Sequence, residues 1–518
     1  MIARLRLVAL IALALAALSH RGAFAICTPV DDDRVTGELV IEMQPGLPIG
    51  PVAARHPITV LDSIPEWYLY RAIVNAGSNV DQTVSDLQAD PDVRSAEPHR
   101  NMETAEGVKR TIPEMDVTAN STIFLNQTLA GIIHTASAHT RYTGEGVTVA
   151  VLDTAQSLSN AETSASMAGP GLDLVGGGST AEIPANGLDD DADGLIDESD
   201  QHGTHVAGLV HLAAPNARIL AIRVLEEDGH GESFTIAKGI LRAIREGAKV
   251  INLSFSMKID SRVIARALED AADARVVVIA AAGNGGLECV EFPADRPDVL
   301  AVTSVDDTLV RSDFSSYGAE IDLSAPGRNA LSTFGGAAWA RWTGTSFAAP
   351  LVAGGAALLL EKYPGLTQAQ AMSVLTGTTQ PDSNLPPLAG LMGSGVLDLD
   401  GITLALTTDR SSLKGREDPG GTVLRWSPVQ GAAHYDVARG DVANVSRSLT
   451  QVDLGPLTCI ANDTTATDTA AAADPAIPAP GQVFFYVFRD DAPDALGLSY
   501  GAGSQYIPRV PGASDCPL

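Results

Sequence analysis

The sequence predicts an α/β protein: a doubly wound, mainly parallel sheet over about residues 120–405, with an α+β unit before it and an all-β sandwich after it. Three observations carry that reading. Short β-branched runs alternate with amphipathic helical runs through the middle of the chain. Residues able to do chemistry (Asp153, Ser254, Asn284) fall at the carboxyl ends of those runs, where a doubly wound sheet opens its crevice. Beyond about 405 the pattern changes to turns and short alternating strands.

In chain order, residues 1–25 have the pattern of a signal peptide. Arg4 and Arg6 precede the 12-residue apolar run LVALIALALAAL, which is too short to span a bilayer, and AFA at 23–25 supplies small residues at a cleavage position. An uncleaved anchor helix is the alternative. Residues 33–105 alternate strand and helix patterns: GELVIEMQPG and WYLYRAIV as strands, NVDQTVSDLQADP as a helix, VRSAEPH as a last strand. The stretch 106–119 is polar and unpatterned, as an exposed linker open to cleavage would be.

From 120 to 405 the strands are GVTVAVLD, ARILAIRVL, AKVINLS, RVVVIAAAGN and DVLAVTSVD, short, β-branched and largely apolar as strands covered on both faces should be. Helices follow in SFTIAKGILRAIREG, opened by Ser233, and DSRVIARALEDAADA, opened by Asp260 or Ser261. SFAAPLVAGGAALLL predicts a helix starting at Ser346. In 406–518, TVLRWSPVQGAAHYDVARG and GQVFFYVFRD read as sandwich strands with Trp426 and Tyr435 in the core, in the manner of fibronectin type III modules.

Composition limits the functions. With 34 basic against 63 acidic residues the net charge is −29, which argues against a nucleic-acid partner and suits a secreted protein or one that gathers cations. No membrane contact is expected once the signal is removed, a monomer is expected, and no organic cofactor is expected. Export permits disulfides. Of the four cysteines, Cys459 and Cys516 share the last segment and are the expected pair, which leaves Cys27 and Cys289 over, their state undecided by the sequence.

Four segments hold candidate chemistry: VTVAVLDTA with Asp153, HGTHVAG with His202, AAAGNGG with Asn284 and GTSFAAP with Ser346. Singly each has an ordinary reading: a strand-end cap, a surface or metal-ligating histidine, an Asn-Gly turn, an N-cap. Together, in this order on a parallel sheet, they resemble the subtilases, the subtilisin-like serine peptidases, over about 120–405. The unit ending in DPDVRSAEPH extends the resemblance to a propeptide over 33–105.

The resemblance implies Ser346 as nucleophile, His202 as general base, Asp153 as the group orienting the imidazole, and Asn284 as oxyanion donor. The chemistry agrees. A serine hydroxyl needs a base within hydrogen-bond reach, imidazole titrates near neutrality, and a buried acceptor fixes its tautomer. His205 is implied to support the helix. Zinc on the HGTH pair is the competing reading, but the glutamate of the metalloprotease helix motif is missing. An alternative from another class is a catalytically silent, calcium-binding adhesion or interaction protein on the same scaffold.

The resemblance also implies a substrate groove: Gly229, His230 and Gly231 on one wall, Ser254, Phe255 and Ser256 on the other, and Ala281, Ala282 and Gly283 along the first specificity pocket. Two positions depart from the family. Ala155 stands where glycine is usual and is strained if the site needs a positive φ, and Ser256, also in place of glycine, should narrow the pocket mouth. Glu291, before the Phe-Pro step, falls near the base of that pocket, where a carboxylate would favour Arg or Lys at the cleaved position; a solvated loop glutamate is the plain alternative.

A calcium loop is read separately. Counting Asp189 as position 1, acids fall at Asp191 (3), Asp193 (5), Asp197 (9) and Asp200 (12), with Gly194 at the sharp turn and the Leu195 carbonyl at position 7. Such a loop, two residues before His202, should order the approach to the site. A merely solvated acidic loop is the alternative.

Overall fold

The computed structural model describes residues 34–404, apart from 105, 107–110, 190–193, 385–387 and 389; beyond 407 it describes separate strand segments only. The expected signal peptide, Asp191 and Asp193 therefore lie outside the described residues. So do Trp426 and the side chain of Tyr435.

Residues 34–104 form an antiparallel sheet with two helices. Its strands are β1 (Arg34–Met43), β2 (Ile58–Ile64), β3 (Leu69–Val74) and β4 (Val93–Thr104); its helices are α1 (Gly50–Arg55) and α2 (Val80–Ala89). Helix α2 opens where Asn79 accepts the Gln82 backbone N–H at 3.0 Å. Strand β2 and helix α1 carry no alternation strong enough to mark them in the sequence, and β4 runs well beyond the expected VRSAEPH. A small core of Leu39, Ile41, Val52, Ala72, Leu87 and Ala96 closes the unit.

The central sheet has seven strands: β6 (Thr148–Asp153), β7 (Leu172–Asp173), β8 (Arg218–Arg223), β10 (Val250–Leu253), β12 (Val277–Ala281), β13 (Leu300–Val305) and β14 (Leu323–Pro326). Their order is β14-β13-β12-β10-β6-β8-β7, every neighbouring pair parallel. Because side chains alternate, Val149 and Val151 face one core while Ala150 and Leu152 face the other. Helices α3 (His202–Ala213) and α6 (Ala349–Lys362) cover the first face; α4 (Ser233–Arg245) and α5 (Arg262–Asp273) cover the second. Both faces are buried, which is why these strands read as continuous apolar runs.

The short strands β9 (His230–Glu232) and β11 (Phe255–Ser256) leave this body and take β4 between them, both antiparallel. Two further contacts dock the N-terminal unit. Glu97 accepts the N–H groups of Arg262 and Val263, 3.1 and 3.2 Å, at the start of α5; His99 Nε2 accepts the Phe234 N–H, 3.3 Å, at the start of α4. These satisfy donors that a helix leaves open at its N-terminus. Ser261 precedes α5 as expected, but its hydroxyl bonds Glu97 rather than capping the helix.

One open point is decided here and one expectation is corrected. Cys289 is in a disulfide, with its partner outside the described residues, so it is not a free thiol. The 106–119 stretch is not a wholly exposed linker either: Glu106 is buried, and β5 (Glu114–Met115) pairs with β16 (Trp339–Trp342). Toward the C-terminus, Tyr435–Asp441 pairs antiparallel with Leu457–Thr464 and Phe484–Asp490; how such strands stack lies outside the described residues. Among the described residues no helix is long and apolar enough to cross a membrane.

Candidate active site

Asp153 closes β6, and Gln201, in the left-handed region at φ 68°, turns the chain so that His202 opens α3 facing it. His202 Nδ1 donates to Asp153 Oδ1 at 2.7 Å, and that oxygen also accepts the Thr154 N–H at 2.8 Å. Both side chains are wholly buried. The rings of Trp342 and Phe347 hold the imidazole from two sides, at 5.4 and 5.3 Å between centroids. Burial opposes a charge on His202, but the Asp153 carboxylate, with Glu106 adding to it, outweighs burial and pushes the imidazole up to about 10.

His205, one turn on, donates Nε2 to the carbonyls of Ala330 and Ala340, at 3.1 and 3.2 Å, and ties α3 to the neighbouring hairpin. Burial first, then the adjacent His202 charge, lowers it to about 3. The two histidines serve separate partners, so the zinc reading has no shared donor set.

Ser346 sits in a 3-10 turn, Thr345–Phe347, and α6 begins only at Ala349. The expected helix start at Ser346 is thus three residues early. Pro350, which has no N–H to give, fits only the first turn of the helix, and Thr345–Phe347 remain in the tighter turn before it. Ser346 Oγ lies 2.9 Å from the Ser254 carbonyl, and Ser254 Oγ donates to the Ser346 carbonyl at 2.8 Å. Asn284 Oδ1 accepts both the N–H and the hydroxyl of Thr345, each at 2.9 Å, which leaves Nδ2 aimed into the space beside Ser346.

That space holds a group the sequence did not single out. Glu106 Oε2 accepts Ser346 Oγ–H at 2.5 Å and lies 3.1 Å from His202 Nε2; its Oε1 accepts Asn284 Nδ2 at 3.1 Å. The structure therefore gathers Asp153, His202, Ser346 and Asn284 around one buried carboxylate. A Cβ on Gly344 would fall in the space of Glu106, so glycine there keeps the centre open. Nothing local in 106–119 marks Glu106; only its place two residues past β4 could have drawn notice.

The groove is occupied by the chain itself. Met102 pairs with Gly231 and Glu103 with His230 on one side; Glu103 pairs with Ser256 and Thr104 with Phe255 on the other. The Thr104 N–H donates to the Gly229 carbonyl at 2.9 Å. Ala281, Ala282 and Gly283 are next to Asn284, and a Cβ on Gly283, at φ +97°, would run into the Glu291 carboxyl. Glu291 is buried and accepts Ser256 Oγ–H at 2.5 Å; burial raises its carboxyl above the usual range, and the Ser256 bond only partly offsets this. The plain alternative, a solvated glutamate, does not hold. Ala155 has no positive φ, so alanine there carries no such strain.

In the acidic loop, Asp189 Oδ2 accepts the Gly194 N–H at 3.0 Å, while the Asp197 carboxylate accepts the N–H groups of Asn186 and Gly187. Burial raises the Asp200 carboxyl, with Asp197 adding to it, although Gln201 bonds to it. An acid held above its normal range by burial and a like neighbour gains from a cation nearby. Asp197 would have to share its oxygens with the backbone to take part.

Comparison with known proteins agrees with this geometry. Residues 144–397 match the model of the subtilase family. Subtilisin BL from Lederbergia lenta is 35% identical over 283 residues, 52% of this chain and 96% of that protein. The chain belongs to the subtilase family. Subtilisin E from Bacillus subtilis (strain 168) is 36% identical over 250 residues, 46% of this chain and 61% of that protein. Fervidolysin from Fervidobacterium pennivorans shares the fold at a TM-score of 0.61 and 19% identity, covering 84% of this chain and 69% of that structure. This subtilase is a serine-type peptidase.

Proposed function

We propose that the chain is the precursor of a secreted serine endopeptidase. The observation that carries this is the convergence of Ser346 Oγ, His202 Nε2 and Asn284 Nδ2 on one point, with Asp153 behind the imidazole. With a substrate carbonyl there, Ser346 Oγ attacks the carbon as its proton passes to His202 Nε2. The oxyanion takes the Asn284 Nδ2 bond. The C–N bond then breaks with the His202 proton leaving on the amine, and water releases the acyl group by the same route. The silent-scaffold alternative would require a vacant or misdirected position, and all four are filled. Caseinolysis by the processed chain, and its loss on replacing Ser346, tests the assignment.

In this reading residues 33–105 are a propeptide that inhibits its own peptidase domain, with β4 lying in the groove as substrate would. Glu291, buried beneath Gly283, selects Arg or Lys at the cleaved position, because a cationic side chain entering the pocket restores the charge that burial suppresses. Profiling of a peptide library should show that preference, and Glu291→Gln should lower cleavage after Arg and Lys relative to Leu by about 10–100-fold. An unchanged ratio removes Glu291 from specificity.

Calcium is proposed for the loop through Asp189, Asp191, Asp193, the Leu195 carbonyl, Asp197 and Asp200, with no part in bond cleavage. Because it binds the folded state alone, calcium at 100-fold over its Kd should raise Tm by about 5 °C or more, and a chelator should reverse this. A melting temperature indifferent to calcium would remove the ion from the account.

A further inference from the structure

We propose that Glu106 is the latch of the precursor: its side-chain carboxylate occupies the reaction centre and keeps Ser346, His202 and Asn284 unreactive until it is displaced. The proposal rests on the peptidase reading of the same site and names the group that silences it.

Occupancy is mutually exclusive. Asn284 Nδ2 bonds Glu106 Oε1 at 3.1 Å, so a substrate carbonyl oxygen cannot be received while Glu106 is in place. The proton route is interrupted as well. Ser346 Oγ–H is spent on Glu106 Oε2, which also faces His202 Nε2, so one carboxylate oxygen stands between nucleophile and base. Against burial, Asp153 first and then this same anion hold His202 protonated up to about 10, and an imidazolium accepts no proton. Burial of a carboxylate is costly unless donors replace its water; here three donors do so, and the site itself is what keeps Glu106 in place.

The chain on either side holds the side chain there. Strand β4 is fixed between β9 and β11 up to Thr104. On the other side Thr111 donates its N–H to the Glu106 carbonyl at 3.3 Å and its hydroxyl to the Thr343 carbonyl at 3.1 Å, before β5 joins β16. Glu106 is therefore an anchored ligand rather than a loose tail. The carboxylates facing His202 are Asp153 from β6 and Glu106; His205, on its own helix, is the other titratable group, and Ser346, Trp342 and Phe347 complete its surroundings.

The test uses the full chain and a fluorophosphonate that labels an active serine. Uncut wild type, Glu106→Gln and Glu106→Ala are labelled at neutral pH and followed by gel, with Ser346→Ala as the control for the labelled residue. Both Glu106 variants should label about ten-fold or more faster than wild type, since a charge-assisted bond is lost in each. The Gln side chain preserves size, so a folding defect in Glu106→Ala does not decide the matter. An uncut variant labelled at the wild-type rate overturns the latch. The pH profile is a second readout. Labelling of uncut wild type should rise toward pH 10 as His202 sheds its proton, and in Glu106→Gln the rise should move to lower pH; a midpoint that stays put overturns the proposal too. Failure of the processed chain to label at all would instead overturn the peptidase reading.

Discussion

Ser346→Ala should abolish caseinolysis, with kcat falling by about 10^6, the loss known for a subtilisin triad. Alanine keeps the volume and the tight turn but removes the oxygen that attacks. The turn does not depend on that hydroxyl: the Ser346 carbonyl still receives Ser254 Oγ and Thr345 still bonds Asn284. Melting temperature should fall by no more than the loss of the Ser346 Oγ–H bond to Glu106 accounts for, while activity disappears. The variant should also accumulate at full length, because self-processing uses the same nucleophile. A serine-directed organophosphonate should reproduce the loss in the wild type, and a zinc-selective chelator should leave activity intact. Residual casein cleavage by Ser346→Ala near the wild-type rate, in a preparation free of other peptidases, would end the assignment.

Asn284→Ala should lower kcat by about 10^2–10^3 with KM nearly unchanged, the range seen when a subtilisin loses its side-chain oxyanion donor. The reason is geometric. Thr345 N–H and Oγ1–H both bond Asn284 Oδ1, so Nδ2 is fixed toward the place where negative charge develops, and this costs no rearrangement at the moment of reaction. In the proposed reading substrate in the ground state is held mainly by Gly229–Gly231 and Ser254–Ser256, which the substitution does not touch. The loss should therefore appear in kcat. A rise in KM at constant kcat would place Asn284 in ground-state binding and remove it from the oxyanion role. Melting should be followed in parallel, because the alanine leaves the Thr345 N–H without its acceptor.

What the sequence determined by itself is the class of the main central strands and helices and, through the resemblance to the subtilases, where the candidate chemistry lies. The central strands were legible because a strand buried on both faces is mostly apolar, as Val277–Ala281 is throughout and Val250–Leu253 is apart from Asn252. Asp153 and Asn284 were legible because they close or follow such strands, and His202 because a turn delivers it to a helix start. These are local signals. The tertiary structure decided what no local signal could: that Glu106 lies on Ser346, 240 residues away, that Glu97 and His99 close the ends of α5 and α4, and that Ser256 and Glu291 share a bond beneath Gly283. Periodicity states which face of a segment is buried, but not what it is buried against. Partners this distant are chosen by strand order and by the path of the crossovers, so a polar stretch that reads as exposed linker could still deliver a carboxylate to a buried point of the molecule.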